Sequence, residues 1–315
     1  MAPVVIAPAY GGPDVLSVVD EPAPEPGPGE ARIEVRAAGV NPADYKSYNG
    51  MFGTDPARLP VRLGLEAAGV VTVVGADATG PAGPISPGDE VIAFRASGAY
   101  AAELVVPAQS LVPKPAGLDW AQASGLMVTG ATAWHLMVAT DVHDGDTVLI
   151  HGGSGGVGLM AVQLAGLRGA TVIATASPAR DDLLRELGAT PVAYGPGLAG
   201  RVRAAAPGGV DVALDLAGTD EALDTSLELV SDRDRIASIT AFARGPKEGI
   251  KLLGGGPGAD PGTEIRDAAR VELARLADEK KLRVVVSRTF PLADVADAHR
   301  FLLTGHPAGK IALIP

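Results

Sequence analysis

The sequence predicts an α/β protein of two domains, a mainly β domain followed by a doubly wound parallel sheet. Three observations carry this prediction. The chain has 315 residues, more than one hydrophobic core usually serves. Its texture changes near Leu118: short β-like runs broken by Gly and Pro give way to strand-like and helix-like segments alternating over short connections, the pattern of βαβ units. The strand-like segments of the second part are continuous apolar runs, as expected where helices cover both faces of a parallel sheet.

Taken in order, "ARIEVRAAGV", "AAGVVTVVG", "DEVIAF" and "AAELVVPA" read as strands of an irregular, mainly antiparallel domain. "EPAPEPGPGE" (21–30) reads as a turn-rich connection, because proline fixes φ and lacks an amide donor. "DWAQASGLMVTGATAWHLMVA" (119–139) reads as helical, with Asp119 as its cap. The strands beyond it are "TVLIHG", "TVIATAS", "PVAY", "VDVALDL", "RIASIT" and "LRVVVS", with amphipathic stretches such as "RDDLLRELG" and "EIRDAARVELARLADEKK" between them. The end, "PLADVADAHRFLLTGHPAGKIALIP", reads as one helix and one strand that return to the first domain. That makes the first domain discontinuous, 1–118 with 287–315, around a second domain of 119–286. "GGGPGADPG" (254–262) reads as a loop, and no internal repeat is present.

Composition bounds the function. With 26 basic and 37 acidic side chains the net charge is −11, which repels nucleic acid and anionic lipid. The absence of cysteine excludes disulfides, thiolate zinc sites and a thiol nucleophile, and fits a reducing compartment. The start lacks a basic, signal-like region, and no stretch reaches the roughly 20 uncharged apolar residues of a membrane span. The expectation is a cytoplasmic protein whose partner is a small molecule.

"GSGGVG" sets Gly153, Ser154, Gly155, Gly156, Val157 and Gly158 at G-x-G-x-x-G spacing, after a strand and at the start of a helix. In such a turn the glycines allow a tight bend, close approach of a pyrophosphate and close helix–strand packing. The helix N-terminus adds free N–H groups and partial positive charge. The alternative is a plain helix–sheet corner. A site for NAD would place an acid about 20 residues on. Here the second strand ends "ATAS", with Thr175, Ser177 and then Arg180, a set that favours a 2′-phosphate and hence NADP(H). Asp181 and Asp182 stand against this, and Ser177 with these acids also reads simply as the start of a helix. The ends of later strands, Leu216, Ala217 and Gly218, and Thr240, Ala241 and Phe242, are expected to line the crevice at the switch point of the sheet.

Several stretches carry a resemblance: "GGPDVL", "EPGPGEARIEVRAAGVNPADYK", "GLEAAGVV", "GDEVIAF", "GAYAAELVVPA", "GATAWHLM", "HGGSGGVGLMAVQLA" and "GHPAGKIAL". In this order they resemble the medium-chain dehydrogenase/reductase superfamily, and within it the zinc-independent quinone oxidoreductase and enoyl or alkenal double-bond reductase branch. The resemblance implies a GroES-like catalytic domain and a Rossmann NADP(H) domain. Zinc-dependent members carry Cys where "VNPAD" stands, His in G-H-E and a further ligand before "TGATAW". Here the sequence has "GLE", with Leu65 beside Glu66, and Val128 at the third place, so no metal is expected. The histidines His135, His143, His151, His299 and His306 show no ligand-like spacing and read as surface or packing residues.

The resemblance further implies that Asn41 and Lys46 of "NPADYK" lie near the nicotinamide and substrate. Lys46 is the expected electrophile or proton donor, Tyr45 the second candidate, Asn41 a shaping residue, and Asp44 structural or orienting. The other reading of this stretch is a polar turn that starts a short helix. Thr129 and Thr132 match family positions under the nicotinamide, or are helix hydroxyls bonded back to carbonyls. Tyr194 matches a residue beside the adenosine 2′-phosphate, or is an ordinary half-buried tyrosine. "LRVVVS" (282–287) is either an edge strand through which two subunits extend one sheet, giving a homodimer, or an internal strand. The expected activity is hydride transfer from NADPH to a quinone or an α,β-unsaturated carbonyl. The alternatives are a zinc-free alcohol or ketone oxidoreductase and a non-catalytic NADPH-binding protein.

Overall fold

The computed structural model describes residues 1–304 and 307–315. His306 therefore lies outside the described residues. The chain divides into two compact units, Met1–Val128 with Arg270–Pro315, and Thr129–Ala269. The helix Met127–Ala139 spans one junction and the helix Thr263–Asp278 the other.

The first unit is built on a seven-stranded sheet. Its order is Leu111–Pro113, Glu90–Phe94, Glu66–Val74, Glu30–Val40, Lys310–Ile314 and Val286–Pro291, with Glu103–Pro107 also paired to Glu30–Val40. All pairs are antiparallel except Val286–Pro291 with Lys310–Ile314. The strand Glu30–Val40 explains the core. Its first half alternates half-buried and buried residues, and its last four residues are all buried. The alternation is that of a strand with one covered face, and its loss marks burial on both faces. Residues 22–29 form neither helix nor strand, as the prolines require. A smaller sheet sets Ala2–Ala7 between Ser17–Glu21 and Val61–Arg62.

The second unit holds a six-stranded parallel sheet in the order Ala189–Ala193, Thr171–Ala176, Thr147–His151, Val212–Asp215, Ile236–Ser238, Lys251–Leu252. In chain order this is 3-2-1-4-5-6, a doubly wound fold whose order reverses at the end of Thr147–His151. Leu149, Ile173, Val192, Ala213 and Ile236 form the centre of its core. Asp119 caps its helix through a reciprocal box with Gln122, and that helix breaks after Ala123 before Met127–Ala139 begins.

One expected strand belongs elsewhere. Residues 282–285 of "LRVVVS" are not a strand, and Leu282 and Val284 are buried. The strand begins at Val286 and forms the edge of the first unit's sheet, beside Lys310–Ile314. An apolar run declares burial but not which sheet receives it. The sixth parallel strand is instead Lys251–Leu252, two residues long and too short to show a period.

Candidate cofactor and catalytic sites

In the second unit, the turn after Thr147–His151 is held from behind by the neighbouring strand. Gly152 N donates to Thr175 Oγ1 at 3.3 Å and Gly153 N to the Thr175 carbonyl at 2.9 Å. The left-handed residue of the turn is Gly152, with φ 72°, one position before the G-x-G-x-x-G run. The tight-bend role expected of Gly153 thus falls to Gly152. Gly153 is needed for packing: a Cβ there would lie 2.7 Å from the Ala174 Cβ. At Gly158 a Cβ would lie 2.3 Å from the Gly152 carbonyl oxygen, whereas at Gly155 it would meet nothing closer than 3.5 Å. The backbone at Gly155 is therefore open on the side a ligand would approach. Gly155 is the N-cap of the helix Gly156–Leu167 and supplies no side-chain cap. The first-turn amides, with Ser154, Gly156 and Val157 half-buried around them, remain donors for an anion.

The acid question at the second strand end has a clear answer. Arg185 holds Asp181 at 3.1 Å and Asp182 at 3.0 Å. Among the described residues, the guanidinium of the half-buried Arg180 forms no hydrogen bond or ion pair; its backbone N donates to the Ser177 carbonyl at 2.9 Å. Ser177, N-cap of the 3-10 turn Pro178–Arg180, makes no side-chain cap bond. Thr175 differs: it is buried, and its hydroxyl is spent on Gly152 and lies 3.4 Å from His151 Nδ1. It holds the turn from behind. Tyr194, directly after the strand Ala189–Ala193, is 62% exposed.

Beyond the switch point, Asp215 organises two strand ends at once. Its Oδ1 accepts from Ala217 N (3.1 Å) and Gly218 N (2.9 Å), and its Oδ2 accepts from Ser238 Oγ (2.7 Å). Ser238 Oγ in turn accepts from the amides of Thr240 and Ala241 at 3.1 and 2.9 Å. This pair shapes the Leu216–Gly218 and Thr240–Phe242 segments, and sequence reasoning missed it. The acid before the last residue of "DVALDL", Asp215, is the available signal. Phe242 packs on the glycine loop, since a Cβ on Gly256 would lie 2.5 Å from its ring. The neck of that loop is tied to His135, whose Nε2 lies 3.2 Å from Asp260 Oδ2. Thr129 and Thr132 are both buried.

The first unit contains a chain of buried polar groups that begins in "NPADYK". Lys310 Nζ donates to Glu66 Oε1 (2.9 Å), Asn41 Oδ1 (2.6 Å) and the Val40 carbonyl (2.9 Å). Asn41 Nδ2 donates to Glu66 Oε1 and the Gly39 carbonyl, and Val128 N donates to Glu66 Oε2 at 2.8 Å. Asp44 accepts from Asn41 N (2.8 Å) and the Tyr100 hydroxyl (2.9 Å). His299 then lies 3.4 Å from Tyr100 and 2.8 Å from the Tyr48 hydroxyl. Burial pushes the Asp44 carboxyl up to about 6, and burial pushes His299 down to about 4.

Within this chain both ends of the Asn41 carboxamide are hydrogen-bonded, and its backbone N–H bonds Asp44 at the start of the helix Pro42–Tyr48. The half-buried Lys46 and Tyr45 lie on the same helix. Among the described residues neither side chain makes a hydrogen bond or ion pair, and the Tyr45 ring packs edge-on against Tyr48 with centroids 5.4 Å apart. Leu65, at the position where zinc-dependent members carry His, is 36% exposed, and the adjacent Glu66 is ion-paired with Lys310 at 2.9 Å. Among the described residues no group of three or more His, Cys, Asp or Glu side chains is placed to hold a metal ion. No helix there is long and apolar enough to cross a membrane.

Comparison with known proteins agrees with this geometry. Residues 27–116 match the alcohol dehydrogenase GroES-like domain and residues 187–313 the zinc-binding dehydrogenase family. A quinone oxidoreductase of Pseudomonas aeruginosa is 35% identical, over 98% of each chain. The spectinabilin polyketide synthase system protein NorB of Streptomyces orinoci is 36% identical over 98% of this chain, which spans only 14% of that relative's length. Among solved structures, mycobacterial Rv1454c complexed with NADPH superposes with a TM-score of 0.85 at 32% identity, covering all of both chains.

Proposed function

Because the chain belongs to the medium-chain dehydrogenase/reductase superfamily, in its zinc-independent quinone oxidoreductase branch, we propose that it is an NADPH-dependent oxidoreductase acting on a quinone or an activated C=C bond. The observation that carries the cofactor choice is the second strand end. An uncommitted Arg180 and an uncommitted Ser177 hydroxyl stand where an NAD site would place an acid, and the two nearby acids are tied to Arg185. A guanidinium free of carboxylates suits a phosphate dianion. The relative solved with NADPH supports the same choice.

NADPH, when bound, supplies the hydride. The glycine turn and the uncapped helix start hold its pyrophosphate, and Arg180, Ser177 and Tyr194 hold the adenosine end. For an enone or enal, hydride addition at the β-carbon builds negative charge on the carbonyl oxygen, and the α-carbon then takes a proton. Lys46 is the group for that oxygen or that proton, with Tyr45 second, because both are half-buried and, among the described residues, neither side-chain donor is spent on a hydrogen bond. A quinone asks the same of them at its phenolate oxygen. The Pseudomonas relative supports the quinone reading.

The test is a turnover screen following NADPH consumption with quinones, short enals, cyclic enones and enoyl thioesters, beside simple ketones as the contrast. Turnover with an activated acceptor and none with ketones is expected. Oxidation of NADPH by ketones alone, or by no acceptor at all, overturns the proposal. Metal analysis of the purified, active protein should find no stoichiometric zinc.

A further inference from the structure

The segment after the third parallel strand is "AYGPGLAGR", residues 193–201. By composition it should be loose, with Gly195 at φ 104° and Gly197 at φ 84° on either side of a single proline. It is instead tied down by one side chain. Arg201 Nε donates to the Ala193 carbonyl at 2.9 Å, one terminal nitrogen to the Pro196 carbonyl at 2.8 Å, and the other to the Gly195 carbonyl at 2.7 Å. Glu221 accepts from Gly195 N at 2.8 Å and closes the same loop from its other face. Among the described residues Arg201 forms no ion pair. Its planar fork is used entirely on main-chain oxygens, which a lysine cannot reproduce.

What this fork holds is Tyr194, a ring left 62% exposed. Ala193 pairs in register with Ala176 on the neighbouring strand, and adjacent strands run about 5 Å apart. Tyr194 and Ser177 are therefore the next residues on two neighbouring strand ends, with Arg180 three residues beyond Ser177.

We propose that Arg201 is a positioning residue for cofactor selectivity: its fork fixes the 193–197 loop so that Tyr194 stands as a rigid platform beside Ser177 and Arg180, where a 2′-phosphorylated adenosine binds. This rests on the NADPH reading above. A loop already ordered before binding spares the ligand the entropy of ordering it. Loss of the fork therefore raises the cofactor concentration required without touching the chemical step.

The test uses steady-state kinetics of the full chain with NADPH and with NADH, on Arg201→Ala, Arg201→Lys and Tyr194→Ala. Arg201→Ala should raise KM for NADPH about tenfold and leave kcat within about twofold. KM for NADH should change far less, so the preference for NADPH falls. Arg201→Lys keeps the charge but loses the fork, and should behave like Arg201→Ala. Tyr194→Ala removes an exposed ring, leaves folding untouched and should show the same selective loss. Its result stands even if the arginine variants fail to fold. A wild-type enzyme with no preference for NADPH overturns the cofactor reading and this inference with it. A wild-type preference that survives in Tyr194→Ala, or equal losses for NADPH and NADH in the Arg201 variants, overturns the inference alone.

Discussion

Two polar clusters, a buried chain in the first unit and the second strand end of the second unit, treat their side chains in opposite ways. In the first, Glu66, Lys310, Asn41, Asp44, Tyr100, His299 and Tyr48 are all buried, and each bonds to another group of the protein. At the strand ends of the second, Ser177, Arg180 and Tyr194 are half-buried or exposed and, among the described residues, their side-chain polar groups are unspent. Burying a polar group costs free energy unless it is bonded, so the first arrangement contributes structure. An unspent donor at the surface costs little and leaves its bonding capacity to a ligand. Commitment separates the two better than residue type does: Asn41 and Lys46 stand five positions apart in one motif, one spent and the other not.

The harshest way to break this contrast is to remove one partner of the buried pair. Lys310→Met leaves Glu66 buried with no cation, and should cost about 3–5 kcal/mol in denaturant unfolding. Replacing both, Lys310→Met with Glu66→Leu, should recover much of that loss. A single variant as stable as the wild type would show that the buried chain is not structural. The next effect belongs to an unspent group. Lys46→Ala should leave stability nearly unchanged and lower kcat by about a hundredfold or more, with NADPH binding by fluorescence titration retained. Unchanged turnover would remove Lys46 from the chemistry. Smaller still, Arg180→Ala should weaken NADPH about tenfold and NADH hardly at all. Equal weakening of both would refute the 2′-phosphate assignment.

The sequence made one side of the contrast far more legible than the other. The glycine turn, the absent acid after "ATAS" and the cap at Asp119 all depend on residues a few positions apart, and local spacing reports them. Lys310 and Glu66 are 244 positions apart, and no period or motif links them. The same holds for Asp215 with Ser238, joined across neighbouring strands. Thr175 shows the limit within a motif. Its position at the strand end was readable, but its turn inward to Gly152 depends on the pleat and on what lies behind it. "LRVVVS" shows the limit for a whole element, because an apolar run does not say which of two sheets receives it.

The mildest test uses pH, where three buried groups pull in opposite directions. His299 and His151 are each pushed down to about 4 by burial, from an ordinary value of 6.5. The native state therefore binds fewer protons than the unfolded chain between about 4 and 6.5, and these groups make stability rise with pH across that window. Asp44 is raised by burial from 3.8 to about 6. The native state there holds a proton the unfolded chain has lost, so Asp44 makes stability fall as pH rises from about 4 to 6. Two histidines against one carboxyl leave a net rise. Asp44→Asn removes the opposing group and should steepen it, as seen in urea midpoints taken at half-unit steps from pH 4 to 7. A flatter profile in Asp44→Asn would mean that Asp44 stays ionised inside the buried chain, its charge held by Asn41 N and Tyr100 against the cost of burial.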